Sequence, residues 1–333
     1  MNRIASLVVP AILLGILAAG SLIIVLIVGA APPPKPVRIT AVLKTMDSDM
    51  EFWEVVKAGM STAAKESNAS LEILGPPMES DVAGQIAIMD HVLSGPPPSV
   101  LILSATDFNE LAPSMERARA AGIPVITIDS DVNSAIPLSF VATNNIEAGG
   151  KAGREMIRLL PTGRPVALVN HIKGATTAME REEGALRALE ADGRFPIVGV
   201  FYTNNFEARA YAIARELLAT HPDLGGILAL NEVSTLGVAR ALKDEGRSGA
   251  VKLVGFDSSI SEIKLIEEGV IQATVSQQPF NMGYLSVRAA KDAVDGKKVA
   301  DFIDTGSILI TPENMYLPEN QKILFPFVDS AAR

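Results

Sequence analysis

Apolar residues fall along this chain in two alternating patterns. Short runs that are apolar at nearly every position alternate with longer stretches in which apolar residues return every three or four positions. The first read as buried strands, the second as helices with one face in a core. On that basis strands are predicted over 37–43, 71–74, 100–103 and 124–128, with helices over 52–67, 82–93 and 111–121 between them. The pattern pauses near Val141 and restarts. Helices over 148–160, 180–191, 208–219, 235–245 and 260–268 then alternate with strands over 165–169, 197–201, 226–230, 252–255 and 272–275. From Pro279 onward a helix and two short strands follow. Each crossover is long enough for a right-handed βαβ unit, and strands that are apolar throughout belong to parallel sheets covered on both faces.

The expected fold class is therefore α/β, with two doubly wound parallel-sheet lobes joined by a three-segment hinge and preceded by an apolar N-terminal helix. The first lobe takes residues 37–143 plus 278–305, and the second takes 144–277 plus 306–333. The chain would cross between them near 143–145, 276–278 and 305–307. Two such sheets that face each other leave a cleft at the carboxyl ends of their strands.

The 333 residues suffice for two ordinary domains, and a composition 48% apolar and 20% charged is globular. A net charge of -9 argues against nucleic acid, which needs a basic face. The chain has no cysteine, which excludes disulfides, thiol catalysis and cysteine metal sites. His91, His171 and His221 have no metal-ligand spacing, so no metal and no cofactor are expected. At the amino terminus Arg3 precedes an uncharged run over 4–31, long enough to span a bilayer. Val28-Gly29-Ala30 is a small-x-small pattern that a signal peptidase could cut. Residues 1–31 thus read as a signal peptide or a membrane anchor, and 32–36 as a proline-rich spacer. Either reading sends the rest of the chain out of the cytoplasm.

Polar residues close several predicted strands. Ser104, Asp129, Asn231, Asp257 and Gln277 each follow an apolar run. Ser, Asn and Asp there are also good helix caps. Capping, however, does not ask for carboxylates and amides along the same edge of both sheets. Hydroxyl recognition does, because a hydroxyl both donates to a carboxylate and accepts from an amide or guanidinium. Phe52-Trp53 opens the first helix, where adjacent aromatics cannot both face one core. One of them can cover the apolar face of a ring, and Phe206 has the same two readings. Arg181 is either an ordinary helix arginine or a ligand donor.

Taken in order, Phe52-Trp53 before Lys57-Ala58-Gly59, Gly122-Ile123-Pro124-Val125 running into Asp129, and Val141-Ala142-Thr143-Asn144-Asn145 carry a resemblance. Arg181-Glu182-Glu183-Gly184, Asn231-Glu232, Val254-Gly255-Phe256-Asp257 and Gln277-Gln278-Pro279 continue it. The chain resembles the type I periplasmic-binding-protein family, in its ribose-binding branch, from about Val37 to about Pro326. The resemblance implies an extracytoplasmic solute-binding protein that captures a small polar ligand, with a monosaccharide as the expected class. The ligand would pass to an ABC transporter permease and its ATPase. The chain would reside in the periplasm or at the outer face of the cell membrane, tethered there if the N-terminal segment is uncleaved. It further implies that Phe52 and Trp53 stack on the sugar, and that Ser104, Asp129, Arg181, Phe206, Asn231, Asp257 and Gln277 contact it. Ser104 stands where the ribose binder has asparagine. Ser130 stands where it has arginine after the aspartate, which argues against ribose itself. The charged loop over 44–49 is longer than in the ribose binder. Lys44 or Asp47 could there touch an acidic or amino-bearing ligand, with a solvated loop as the alternative.

Other functions fit less well. The stretch Gly149-Gly150-Lys151-Ala152-Gly153 lacks Walker spacing and reads as close packing at a helix start. No nucleophile elbow is present, so no enzyme is expected. A transcription regulator of this fold would need a DNA-binding headpiece where this chain has an apolar segment. A sensor that presents its ligand to a membrane receptor or kinase stays open as the alternative to transport.

Overall fold

The computed structural model describes residues 14–17, 19 and 36–325. The chain divides into a short segment, Met1–Pro36, and a body, Val37–Arg333. Residues 14–17 and 19 of the first are helical. The rest of the expected signal or anchor over 1–31, and the spacer but for Pro36, lie outside the described residues. Among the described residues no helix is long and apolar enough to cross a membrane.

The body runs as strand and helix in alternation. Its first half comprises β1 (Arg38–Val42), α1 (Glu51–Glu66), β2 (Ser70–Leu74), α2 (Val82–Ser94), β3 (Val100–Leu103), α3 (Ala112–Ala120), β4 (Val125–Ile128) and β5 (Ser139–Ala142). Then come α4 (Asn145–Leu159), β6 (Val166–Asn170), α5 (Thr176–Asp192), β7 (Ile197–Tyr202), α6 (Glu207–Thr220) and β8 (Gly226–Ala229). They lead to α7 (Glu232–Asp244), β9 (Lys252–Phe256), α8 (Ile260–Glu267) and β10 (Ala273–Gln277). The chain closes with α9 (Pro279–Val294), β11 (Phe302–Asp304), β12 (Ser307–Ile310) and α10 (Pro318–Leu324).

These strands form two six-stranded sheets, ordered β11-β5-β4-β3-β1-β2 and β12-β10-β9-β8-β6-β7. The two orders are the same permutation. Every pairing is parallel except β10 with β12, which is antiparallel. The chain passes between sheets three times, after β5, after β10 and between β11 and β12. Central strands such as β3, β4, β6 and β8 are buried at every position, which explains their unbroken apolar runs. The pause near Val141 conceals β5, a four-residue strand that opens on Ser139 just after a proline-containing loop and so lacks an unbroken apolar run. The short closing helix α10 was equally invisible to the pattern.

Helix pairs on the sheet faces approach through glycine. A Cβ on Gly149 would stand 2.1 Å from the carbonyl oxygen of Arg181, and one on Gly184 would stand 2.0 Å from that of Ile146. The glycine-rich stretch therefore sets the spacing of α4 against α5, the helix that carries Arg181. Gly149→Ala must push the two helices apart, at a cost of about 1–3 kcal/mol for overpacking. The expected result is a lower melting temperature. An unchanged melt would show that the helices are not in backbone contact.

Candidate functional site

The carboxyl ends of the two sheets face one another across a chamber lined from both lobes. Its cavity volume is about 30 Å³. That is far below the roughly 300–1,000 Å³ of ligand pockets, so the lining side chains fill most of the space and a ring would have to displace some of them. The first lobe contributes Lys44, Met50, Phe52, Trp53, Glu79 and Asp129. The second contributes His171, Thr177, Arg181, Asn231, Glu232 and Asp257, with Gln277 at the end of β10.

Each polar group arrives by the same local route, a strand that ends and a chain that turns. Lys44 leaves β1 and Asp129 leaves β4. The Nζ of Lys44 lies 2.8 Å from Asp129 Oδ2, and both side chains are buried. Asp129 has φ +60, a left-handed conformation that aspartate tolerates better than most residues. Glu79, in the loop after β2, accepts a hydrogen bond from Trp53 Nε1 at 2.6 Å. Burial pushes its carboxyl up, against the pull of the Lys44 charge and the indole bond. Phe52 and Trp53 meet edge to face, with ring centroids 5.1 Å apart.

In the second lobe Asp257 leaves β9 with φ +76, at the position that Asp129 occupies in the first. Its Oδ2 accepts from the backbone N–H of Glu232 at 3.0 Å and its Oδ1 from Gln277 Nε2 at 2.6 Å. Arg181 donates from Nε to Asn145 Oδ1 at 2.9 Å and from Nη1 to the Leu230 carbonyl at 2.8 Å. Its guanidinium stacks 4.5 Å from the Phe256 ring centroid. These contacts lock its plane and leave Nη2 without a hydrogen-bond partner among the described residues. Asn231 caps α7, accepting from Ser234 N, and still lines the chamber. His171 leaves β6 and faces Thr177 Oγ1 at 3.0 Å from Nε2. Burial, then the Arg181 and Lys44 charges, hold its pKa well below the ordinary value, so the imidazole is neutral. Its Nδ1 and Oε1 of Gln277 are buried without a partner.

Contacts already join the lobes around this chamber. Lys44 Nζ and Ser130 Oγ each lie 3.4 Å from Thr177 Oγ1, and Thr176 donates to the Asp131 carbonyl at 3.0 Å. Asn205 Nδ2 reaches Glu79 Oε2 at 3.0 Å, and Phe108 N donates to the Gly174 carbonyl at 3.0 Å.

Of the residues singled out from sequence, Phe52, Trp53, Asp129, Arg181, Asn231, Asp257, Gln277 and Lys44 line the chamber. Ser104 does not reach its wall. It sits behind Asp129, with its Oγ 3.4 Å from Oδ2 and its carbonyl accepting from Gln85 at 2.8 Å. Phe206, 45% exposed, and Asp47 line a neighbouring cavity with Asp49, Met78 and Glu207. Phe206 precedes α6, and Asn204 and Asn205, both at positive φ, turn the chain outward just before it. The sequence reading missed Met50, Glu79, His171, Thr177 and Glu232. His171 directly follows an apolar strand, so the strand-end rule could have found it. Glu79 lies five residues beyond its strand, inside a proline-containing loop, and offers no such signal.

Trp53 is 1% exposed and packs in the first-lobe core as well as lining the chamber. It therefore serves stability as well as the site. Trp53→Ala should cost about 3–5 kcal/mol in the ligand-free protein. A melt close to wild type would contradict its place in the core.

Glu232 gives a pH signature. Burial first, and then the Asp257 charge, push its carboxyl from 4.5 up to about 8. The folded state thus holds this proton more tightly than the unfolded chain does. Its contribution to stability is full below pH 4.5 and falls as pH rises to about 8. Glu232→Gln should flatten part of that decline in a pH series of thermal melts. A slope identical to wild type would show that Glu232 is not the group responsible.

Comparison with known proteins places this architecture. Residues 39–298 match the model of the periplasmic binding protein domain. A ribose import binding protein of Bacillus subtilis (strain 168) is 28% identical over 249 residues, covering 74% of this chain and 79% of its own. A D-ribose/D-allose-binding protein of Pseudomonas aeruginosa is 28% identical, covering 81% and 86%. Among solved structures, an ABC transporter solute-binding protein from Agrobacterium vitis with bound D-fucose superposes with a TM-score of 0.83 at 30% identity. That match covers 86% of this chain and 99% of the other. With its paired sheets, its chamber at their carboxyl edges and a family match spanning 39–298, the chain belongs to the periplasmic binding protein family.

Proposed function

We propose that this protein captures a monosaccharide between its lobes and delivers it to the permease of an ABC importer. It is a binding protein and not an enzyme. One observation carries the reading. Buried carboxylates, amides and a guanidinium converge from both lobes beside an aromatic pair, and two buried polar atoms at the wall, His171 Nδ1 and Gln277 Oε1, are unpartnered. Hydroxyl groups, which donate and accept at once, suit such a wall. The faces of Phe52 and Trp53 suit the C–H face of a sugar ring. The relatives support the class, being ribose and allose binders, and the structural neighbours carry D-fucose and D-arabinose.

The family places the protein in the periplasm or its extracytoplasmic equivalent. We further propose that residues 1–31 direct export and either remain as an anchor or are cleaved near Ala30. Membrane fractionation with an alkaline wash separates the two, and a soluble cytoplasmic product that retains Met1 would sink both.

Calorimetry with D-allose, D-ribose, D-fucose and D-arabinose should find at least one ligand, and that ligand should compact the protein in solution scattering. Asp257→Ala removes a charged acceptor from a dry site, so affinity for the bound sugar should fall at least about tenfold. Binding of none of the sugars, or turnover of a bound one, would overturn the reading.

A further inference from the structure

Glu79 stands at the junction of the two lobes with both carboxylate oxygens engaged. Oε1 accepts from Trp53 Nε1 at 2.6 Å, and Oε2 faces Asn205 Nδ2 of the second lobe at 3.0 Å. Asn205 Oδ1 in turn accepts from Asn231 Nδ2 at 2.7 Å. The direction of this chain is fixed at both ends. The backbone N–H of Ser234 can only donate, so Asn231 meets it with Oδ1 and turns its amide nitrogen to Asn205. Asn205 must then accept through Oδ1 and donate through Nδ2. At the far end an indole N–H is a donor only. Glu79 is therefore required to accept on both sides. A glutamine in its place would set a donor against a donor at one of the two contacts, whichever way it turned.

We propose that Glu79 is a positioning residue that couples the Trp53 indole to closure of the second lobe through Asn205. The Trp53 contact lies within the first lobe, so it can persist when the lobes part. The Asn205 contact spans the lobes and exists only when they close. Closure thereby completes a relay from the cap of α7 to the aromatic wall of the chamber. The indole is held in the orientation in which it meets the ligand. This rests on the chamber being the ligand site.

The test is a rescue. Glu79→Gln and Asn205→Asp should each weaken sugar binding about tenfold, the first by opposing two donors and the second by opposing two carboxylates. The double variant, Glu79→Gln with Asn205→Asp, restores every donor–acceptor pairing with the charge moved across the lobe boundary. Its affinity should return to within about threefold of wild type. The probe is whichever of D-allose, D-ribose, D-fucose or D-arabinose the wild type binds most tightly. Quenching of Trp53, the single tryptophan, by acrylamide in the complex should rise in each single variant and recover in the double. A Glu79→Gln protein that binds as wild type, or a double variant as weak as its singles, overturns the proposal. If the wild type binds none of these sugars, the monosaccharide reading fails and the relay is judged without ligand. The chain has no native cysteine, so Glu79→Cys with Asn205→Cys can be treated with a short bifunctional thiol reagent. A single cross-linked monomer, absent from each single-cysteine protein, supports the contact, and its absence overturns it.

Discussion

Seven ionisable side chains, Lys44, Glu79, Asp129, His171, Arg181, Glu232 and Asp257, meet in a chamber that the two lobes take out of water. Removing charges from water costs several kcal/mol per ion unless each finds a partner. Much of the surrounding structure answers that demand. Lys44 and Asp129 answer each other. Arg181 is held by an amide and a carbonyl, and Asp257 by a backbone N–H and an amide. Glu79 takes an indole and an amide. Glu232 is the group least well served, and its carboxyl rises accordingly. Most of these partners come from the same lobe as the charge they serve, so each half of the wall is preformed, and of these contacts only the Asn205–Glu79 bond depends on closure.

The two lobes solve the same geometric problem in the same way. Their sheets share one strand order, and each places an aspartate in left-handed backbone at the corresponding strand end, Asp129 after β4 and Asp257 after β9. That conformation turns the chain sharply enough to leave the carboxylate at the sheet edge. The lobes differ in what the aspartate meets. Asp129 faces a cation, whereas Asp257 is cradled by neutral donors. The site is thus built on a repeated frame with different chemistry on each half.

The fold was legible because parallel sheets covered on both faces demand unbroken apolar strands, and such runs cannot be mistaken for surface. What escaped was β5, whose run opens on a serine, and α10, with seven residues. The site was legible where it obeyed the strand-end rule, as at Asp129, Asn231, Asp257 and Gln277. It was illegible where three-dimensional proximity, and not chain position, decided the matter. Ser104 obeys the rule yet sits behind Asp129, because the ion pair with Lys44 fills the space in front. Glu79 breaks the rule, and its role follows only from an indole and an amide that lie 26 and 126 residues away in sequence. Phe206 carries the right chemistry but is turned outward by the two asparagines that precede it.

Lys44 is the first-lobe cation of the chamber, and it is paired with Asp129. The resemblance places an arginine directly after the first-lobe aspartate, where this chain has Ser130. In this chain the Asp129 carboxylate is met by a cation that arrives from the end of β1. A guanidinium is a planar fork that can hold an aspartate with one edge and a hydroxyl with the other. An ammonium is a point charge with three donors at wide angles. Lys44 spends one donor on Asp129 and lies within reach of Thr177 on the opposite lobe. With one donor on Asp129 and another near Thr177, its third donor is the one left, and a ligand oxygen would meet it at an angle that the edge of a guanidinium does not offer.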